Sequence, residues 1–212
     1  MMKKLKGTSL MAKRGAFICI EGIDASGKTT QAKILVRKLR RKGIDAAYTT
    51  EPSRGKVGTF VRRYILDREK RVPTTLEALL FAADRVGHLE NEVKPALEKG
   101  RIVVCDRYVY SSIAYQGAAG LSLDWIQCIN QFALVPDLAV FLDVSPEIVL
   151  KRLKRNKTVM ETNANLQKVR EVYLKIVRDG KMITLEGDKP IEEVAKDILR
   201  VALDFLERSH AL

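Results

Sequence analysis

Only two histidines and three cysteines occur among the 212 residues, with no C-x-x-C pair and no closely spaced His pair. This excludes the ligand spacings of the common zinc sites. Cys19, Cys105 and Cys128 are odd in number and far apart, and two of them fall inside apolar runs. Reduced, buried thiols in a cytoplasmic protein are the simplest account of them. No apolar stretch approaches the ~20 residues of a membrane span, and no apolar signal segment follows the basic N-terminus. Internal repeats and low-complexity linkers are missing too. Asn and Gln are few beside abundant Lys and Arg, a thermophile-like balance. Acid is also in deficit, 26 Asp and Glu against 38 Lys and Arg, for a net charge of +12. The excess is spread over clusters at 1–14, 37–42, 62–71 and 151–157 rather than gathered in one stripe. That distribution suits small anionic ligands better than nucleic acid.

With 46% hydrophobic residues the chain has ample material for a core. Residues 1–13 read as a flexible basic tail, in which Met11-Ala12-Lys13 is a second plausible start, and 14–212 as one domain. Apolar runs predict strands at Ala16 to Ile20, Ile44 to Thr50, Ile102 to Cys105, Leu138 to Leu142 and Lys181 to Leu185. Helical spacing predicts helices over Gln31 to Lys42, Gly55 to Leu66, Thr74 to Lys99 with a break near Gly87, Tyr110 to Gly117 and Ser122 to Leu134. Leu76, Leu79, Leu80 and Ala83 share one apolar face of the third. Ser145-Pro146-Glu147 opens another helix with a capping hydroxyl, a first-turn proline and an acid at the positive end, running into Arg155. Further helices span Glu161 to Arg178 and the segment carrying Ile191, Val194, Ala195, Ile198 and Ala202. Strands alternating with helices predict an α/β fold of three layers, a five-stranded parallel sheet covered by helices on both faces.

Between the first strand and the first helix stands Gly22-Ile23-Asp24-Ala25-Ser26-Gly27-Lys28-Thr29, a P-loop pattern. Such a turn aims free backbone N–H groups and a helix N-terminus at one point, which suits a polyphosphate. Lys28 is expected to reach the terminal phosphates and Thr29 to hold Mg²⁺. In parallel sheets ligands bind at the carboxyl ends of the strands. Glu51 and Arg54 follow the second strand, Asp106 and Arg107 the third, and Glu186 to Lys189 the last. Asp106, closing an apolar strand, is the second expected Mg²⁺ residue; by itself it also reads as a strand-end ion pair. No N-K-x-D motif is present, so a GTPase is disfavoured. Several strand-end arginines would neutralise two mutually repelling phosphates, which points to a kinase for a small phosphorylated acceptor.

Several ordered blocks resemble the thymidylate kinase family over nearly the whole chain from Phe17. They are Glu21-Gly22-Ile23-Asp24 with Gly27-Lys28-Thr29-Thr30, Glu51-Pro52, Phe81-Ala82-Ala83-Asp84-Arg85, Asp106-Arg107-Tyr108, Ser111-Ser112-Ile113-Ala114-Tyr115-Gln116-Gly117, Pro136-Asp137 and Leu142-Asp143-Val144-Ser145-Pro146-Glu147. The resemblance implies transfer of the γ-phosphoryl of ATP to dTMP, giving ADP and dTDP, with Mg²⁺, in a homodimer; the helices around 74–99 and 122–134 are the candidates to supply an apolar interface. It assigns ATP to Gly22, Ile23, Asp24, Ala25, Ser26, Gly27, Lys28, Thr29, Thr30, Arg152, Gly187, Asp188 and Lys189. It assigns dTMP to Asp24, Glu51, Pro52, Arg54, Phe81, Arg85, Arg107, Ser111, Ser112, Tyr115 and Gln116. Phe81 would stack on thymine, Arg85 would bond a base oxygen, Asp24 the sugar hydroxyl, and Arg54 and Arg107 the acceptor phosphate. Tyr115 would lie under the sugar and disfavour a 2′-hydroxyl. On pattern alone Phe81 and Tyr115 also read as packing residues, and Gly187-Asp188 as an ordinary turn.

Lys28, Asp24, Arg107 and Arg155 are the implied catalytic residues. The family carries a transition-state arginine in the P-loop or in a mobile lid. Ala25 occupies the P-loop position here, which moves the search to a short lid near 153–161. There Arg155 is the first candidate and Lys154 or Lys157 the substitutes; the same run also reads as a solvated helix end. Two alternatives stand beside this reading: another nucleoside monophosphate or deoxynucleoside kinase, and a nucleic-acid-binding P-loop ATPase.

Overall fold

Runs such as Phe17-Ile18-Cys19-Ile20, Ile102-Val103-Val104-Cys105 and Leu138-Ala139-Val140-Phe141-Leu142 need cover on both faces, and the architecture supplies it to these central strands. In a computed structural model, which describes residues 14–66, 72–153 and 162–209, five strands form one parallel sheet in the order β2-β3-β1-β4-β5. They are β1 (Phe17–Glu21), β2 (Ala46–Thr50), β3 (Ile102–Asp106), β4 (Leu138–Asp143) and β5 (Ile183–Glu186). β1 lies at the centre, with Ile18 level with Val104 of β3 and Leu138 of β4. From β1 the chain goes first to one side of the sheet and later to the other. The loop after β1 therefore opens at the crevice between the two halves.

Alternation along the strands divides the core in two. Phe17, Cys19, Val103, Cys105, Ala139 and Phe141 face α5 (Val109–Ala118) and α8 (Asn163–Arg178). Ile18, Ile20, Val104, Val140 and Leu142 face α1 (Lys28–Arg41) and α9 (Ile191–Arg208). Phe17 meets Tyr108 edge-on at 4.9 Å, and Phe141 stacks on Tyr173 at 4.8 Å. Cys19 and Cys105 are buried free thiols; Cys128 is free but exposed, contrary to the expectation of burial for all three.

The remaining helices are α2 (Lys56–Phe60), which continues as a π-helical turn at Val61–Leu66, α3 (Thr74–His88), α4 (Lys94–Glu98), α6 (Leu123–Ile129) and α7 (Pro146–Arg152). α3 passes into α4 through a second π-helical turn at Leu89–Val93, so the helix changes type just after His88, close to the break expected near Gly87. α6 stops five residues short of Leu134, where Asn130 turns its side-chain amide back onto the Ile126 carbonyl at 2.8 Å. Ser145 stands at the N-terminus of α7, but its hydroxyl makes no capping bond to the backbone. The hydroxyl instead meets Glu147, whose carboxyl is held below its ordinary range by its own backbone N–H first and by Ser145 second. The expected basic tail at 1–13 and most of the expected lid, Arg155 included, lie outside the described residues.

α3 reverses the usual amphipathic arrangement. Its apolar stripe faces outward, with Leu76 and Leu79 each more than two-fifths exposed and Val86 continuing the line. Its buried side carries Glu77, Asp84, Arg85 and His88. Among the described residues no helix is long and apolar enough to cross a membrane.

Phe141 has no accessible surface and holds Tyr173 against the sheet. Phe141→Ala is expected to lower unfolding free energy by about 3–5 kcal/mol, read from the denaturant midpoint at constant slope.

Candidate active site

The P-loop leaves β1 through Gly22, where φ is +151° and a side chain would meet Ser26 Oγ at 2.6 Å and the Leu142 carbonyl at 2.8 Å, so the position requires glycine. Ala25 at φ 54° and Gly27 at φ 98° complete the left-handed turns that open α1. The Lys28 side chain is curled into its own loop. Its ammonium donates to the Ile23 carbonyl at 2.6 Å and to Ser26 Oγ at 3.4 Å. Burial, then the neighbouring Arg107 charge, push its pKa down to about 7, against the pull of Asp24, Asp106 and Glu21. Thr30, next along α1, is exposed.

At the start of α1 the Thr29 hydroxyl donates to Asp106 Oδ2. Tyr48 approaches the same oxygen from β2 at 3.4 Å. Asp106 Oδ1 is buried and has no hydrogen-bond partner among the described residues. An alcohol beside a carboxylate with a spare buried oxygen is a hard, oxygen-only donor set of the kind that takes Mg²⁺.

Arg107 follows Asp106 with φ 69°, which turns its side chain back over the P-loop. Its guanidinium reaches Asp24 Oδ1, the Gly22 carbonyl at 3.3 Å, Ser111 Oγ at 3.0 Å and Tyr115 Oη at 3.3 Å. It also lies 5.1 Å above the Tyr115 ring. The Tyr115 hydroxyl accepts from the Asp24 N–H at 2.9 Å. Asp24, Arg107, Ser111 and Tyr115 thus form one polar cluster at the mouth of the loop. Beneath it Glu21, wholly buried, accepts from the Tyr108 N–H at 2.8 Å, Ser111 Oγ at 2.7 Å and the Tyr173 hydroxyl at 3.0 Å. Burial raises its pKa, and those hydrogen bonds with the Arg107 charge oppose the rise.

A second cluster gathers where β2, α3 and α5 meet. Arg85 is 2% exposed. Its Nε and Nη2 lie 3.0 and 2.8 Å from Glu51 Oε2, Nη1 bonds Asn130 Oδ1, and Nη2 bonds Ser112 Oγ at 3.0 Å. Phe81, one turn before it on α3, is half-buried. Gln116 Nε2 donates to Glu77 at 3.0 Å, while its buried Oε1 has no partner among the described residues. Pro52 gives its carbonyl to Arg62. Arg54 is exposed.

The third cluster joins α7 to the loop after β5. Arg152 reaches the Gly187 carbonyl at 3.4 Å and Asp188 Oδ1 at 3.1 Å. Gly187 packs so tightly that a side chain there would meet Val144 Cγ2 at 2.6 Å. Lys189 turns away to Glu186 and Asp197, at 3.4 and 3.3 Å.

Except for Arg155, the sequence-predicted residues therefore lie in these three clusters or beside them, at the carboxyl edge of the sheet. The pattern of the thymidylate kinase family matches residues 20–198. The chain belongs to the thymidylate kinase family. It is 44% identical over 194 residues to a probable thymidylate kinase of Pyrococcus abyssi, covering 88% of this chain and 95% of that protein. A probable thymidylate kinase of Methanocaldococcus jannaschii is 45% identical over 184 residues, covering 86% and 93%. The thymidylate kinase of Caldanaerobacter subterraneus subsp. tengcongensis is 37% identical over 203 residues, covering 92% and 98%.

In this thymidylate kinase family member some site residues have no signal in motif reading alone. His88, Asn130 and Arg170 stand outside the quoted blocks. Arg170 grips Asp143 at the end of β4 through Nε at 2.6 Å and Nη2 at 2.8 Å. Glu21 had a usable signal, a carboxylate closing a wholly apolar strand, which must have partners.

At pH 8 an amine of pKa about 7 is about nine-tenths neutral. A polyphosphate beside Lys28 favours the ammonium. Binding of ATP is therefore expected to take up close to one proton at pH 8 and almost none at pH 6, measured by calorimetry in buffers of different ionisation enthalpy. Lys28→Ala should abolish the uptake.

Proposed function

We propose that the protein transfers the γ-phosphoryl group of ATP to dTMP, forming ADP and dTDP. The observation that carries this reading is the meeting of the P-loop with the Asp24–Arg107 cluster, in a chain of the thymidylate kinase family. Phosphoryl transfer asks a protein mainly for alignment and charge compensation. The backbone N–H groups of Ala25, Gly27, Lys28 and Thr29 and the N-terminus of α1 take the donor's phosphates. Lys28 leaves the Ile23 carbonyl for the terminal phosphates, regaining its proton there. Thr29 and Asp106 hold Mg²⁺, which when bound offsets phosphate charge.

Arg107 faces the acceptor phosphate and is steadied by Asp24 and Ser111. Asp24 also meets the sugar hydroxyl. The acceptor phosphate has its second pKa near 6 and is largely a dianion at neutral pH. Its oxygen forms the new bond to the γ-phosphorus as the bond to the bridging oxygen of ADP breaks, so no general base is required. Since Ala25 brings no positive charge to the loop, Arg155 is assigned to the charge that develops on the γ-phosphoryl group. Phe81 stacks on the base, Arg85 bonds a base carbonyl, and Ser112 and Gln116 line the same pocket. Tyr115 lies under the deoxyribose. Arg152 and the Gly187-Asp188 turn take the adenine.

The protein acts as a homodimer in this reading. The outward stripe of α3, Leu76, Leu79 and Val86, is exposed, as are Phe60 at the end of the neighbouring α2 and Tyr64 in the π-helical turn that continues it, whose ring centroids lie 5.1 Å apart. This apolar surface supports association through α2 and α3.

Across common nucleoside monophosphates and thymidine, with ATP and Mg²⁺, dTMP is expected to give the highest kcat/KM; better turnover of dCMP, AMP or thymidine defeats the assignment. Phe81→Ala should raise KM for dTMP about tenfold, the scale of one lost base–aromatic stack, with KM for ATP nearly unchanged. Equal effects on both would make Phe81 a packing residue. Leu79→Glu should convert dimer to monomer in sedimentation equilibrium; a wild-type monomer at micromolar concentration refutes the dimer.

A further inference from the structure

Behind the acceptor cluster lies a line of buried side chains that the transfer itself does not use. Thr49 Oγ1 is 2.6 Å from His88 Nε2, and His88 Nδ1 is 3.1 Å from Glu51 Oε1. The other oxygen of Glu51 holds Arg85. Thr49, His88, Glu51 and Arg85 are each no more than 5% exposed. A carboxylate only accepts, so His88 Nδ1 carries the hydrogen in its bond to Glu51, while Nε2 faces the Thr49 hydroxyl. Glu92, half-exposed, stands 3.8 Å from the same Nε2 and is the other acid facing the ring.

Hydrogen bonds to Glu51, Asn130 and Ser112 engage three of the five N–H bonds of the Arg85 guanidinium, Nη2 also pairs with Glu51 at 2.8 Å, and one N–H on Nη1 is left for a ligand. How well that bond distinguishes ligands depends on whether the guanidinium can swing. An arginine free to turn accommodates an amino group by moving aside. One locked on several partners leaves two donors opposed. The lock depends on Glu51, which is fixed only if both its oxygens are held. Arg85 occupies one and His88 the other.

We propose that His88 is a positioning residue for base recognition: by holding Glu51 it aims the remaining N–H of Arg85 at a carbonyl oxygen of the acceptor base. The inference rests on the reading of Arg85 as the base contact. It makes His88 a determinant of discrimination rather than of phosphoryl transfer. The probe is 5-methyl-dCMP, which carries an amino group where thymine has its carbonyl at position 4 and is otherwise the same size and shape.

The test compares kcat and KM for dTMP, 5-methyl-dCMP and ATP in the wild type, His88→Leu and His88→Asn. His88→Leu should raise KM for dTMP about tenfold, leave KM for ATP within twofold, and lower the dTMP preference over 5-methyl-dCMP about tenfold. His88→Asn keeps an N–H near the position of Nδ1 and should restore most of that preference. An unchanged preference in His88→Leu, or His88→Asn as defective as His88→Leu, overturns the role. Should His88→Leu fail to fold, Thr49→Val removes a single hydroxyl and should lower the preference about threefold; no change there also overturns it. Failure of the functional reading itself would appear separately, as a wild-type protein that does not phosphorylate dTMP.

Discussion

A carboxylate with no access to water must be surrounded by donors, and Glu21 imposes that demand at the centre of the molecule. It closes β1, where the P-loop begins. Its partners come from the turn after β3, from α5 and from α8. Meeting one buried charge therefore draws three separate segments to the root of the phosphate loop. Ser111 is shared between Glu21 and Arg107, so the same arrangement fixes the cation above the loop. Glu21 thus ties the root of the loop, the Arg107 side chain and α8 together.

The acceptor end is built on a similar principle with the charges exchanged. There a buried guanidinium is the group that must be satisfied, and Glu51, Asn130 and Ser112 do so from β2, the end of α6 and α5. α3 can bury Glu77, Asp84, Arg85 and His88 together because each has a partner: Gln116, Ser53, Glu51 and Thr49 respectively. This leaves the apolar side of α3 uncovered.

Much of this was legible before any coordinates. The strand–turn–helix setting of the P-loop, the five strands and the site residues at their ends follow from runs, spacing and glycine placement. The orientation of α3 was not legible, because periodicity reports which residues share a face and not which face is buried. Leu76 and Leu79 look like core in sequence and are surface in the fold. The end of α6 escaped for a local reason, a side-chain amide of Asn130 competing for the helix backbone. His88 and Asn130 are single polar residues whose significance depends on partners 39 and 45 positions away, which no local pattern encodes. The cation missing at Ala25 was visible as an absence, while its assigned replacement at Arg155 falls outside the described residues.

The curled Lys28 bears on selectivity among anions. The loop closes on its own side chain, with the amine bonded to Ile23 and Ser26 and its pKa pushed down to about 7 by burial. An incoming anion must displace those bonds and, above neutral pH, supply enough negative potential to recharge the amine, about 1.4 kcal/mol for each pH unit. Chloride or a single phosphate offers little of that potential, and a chain of phosphates offers much more. The energy gained at Lys28 therefore grows with the negative charge that a ligand concentrates beside it.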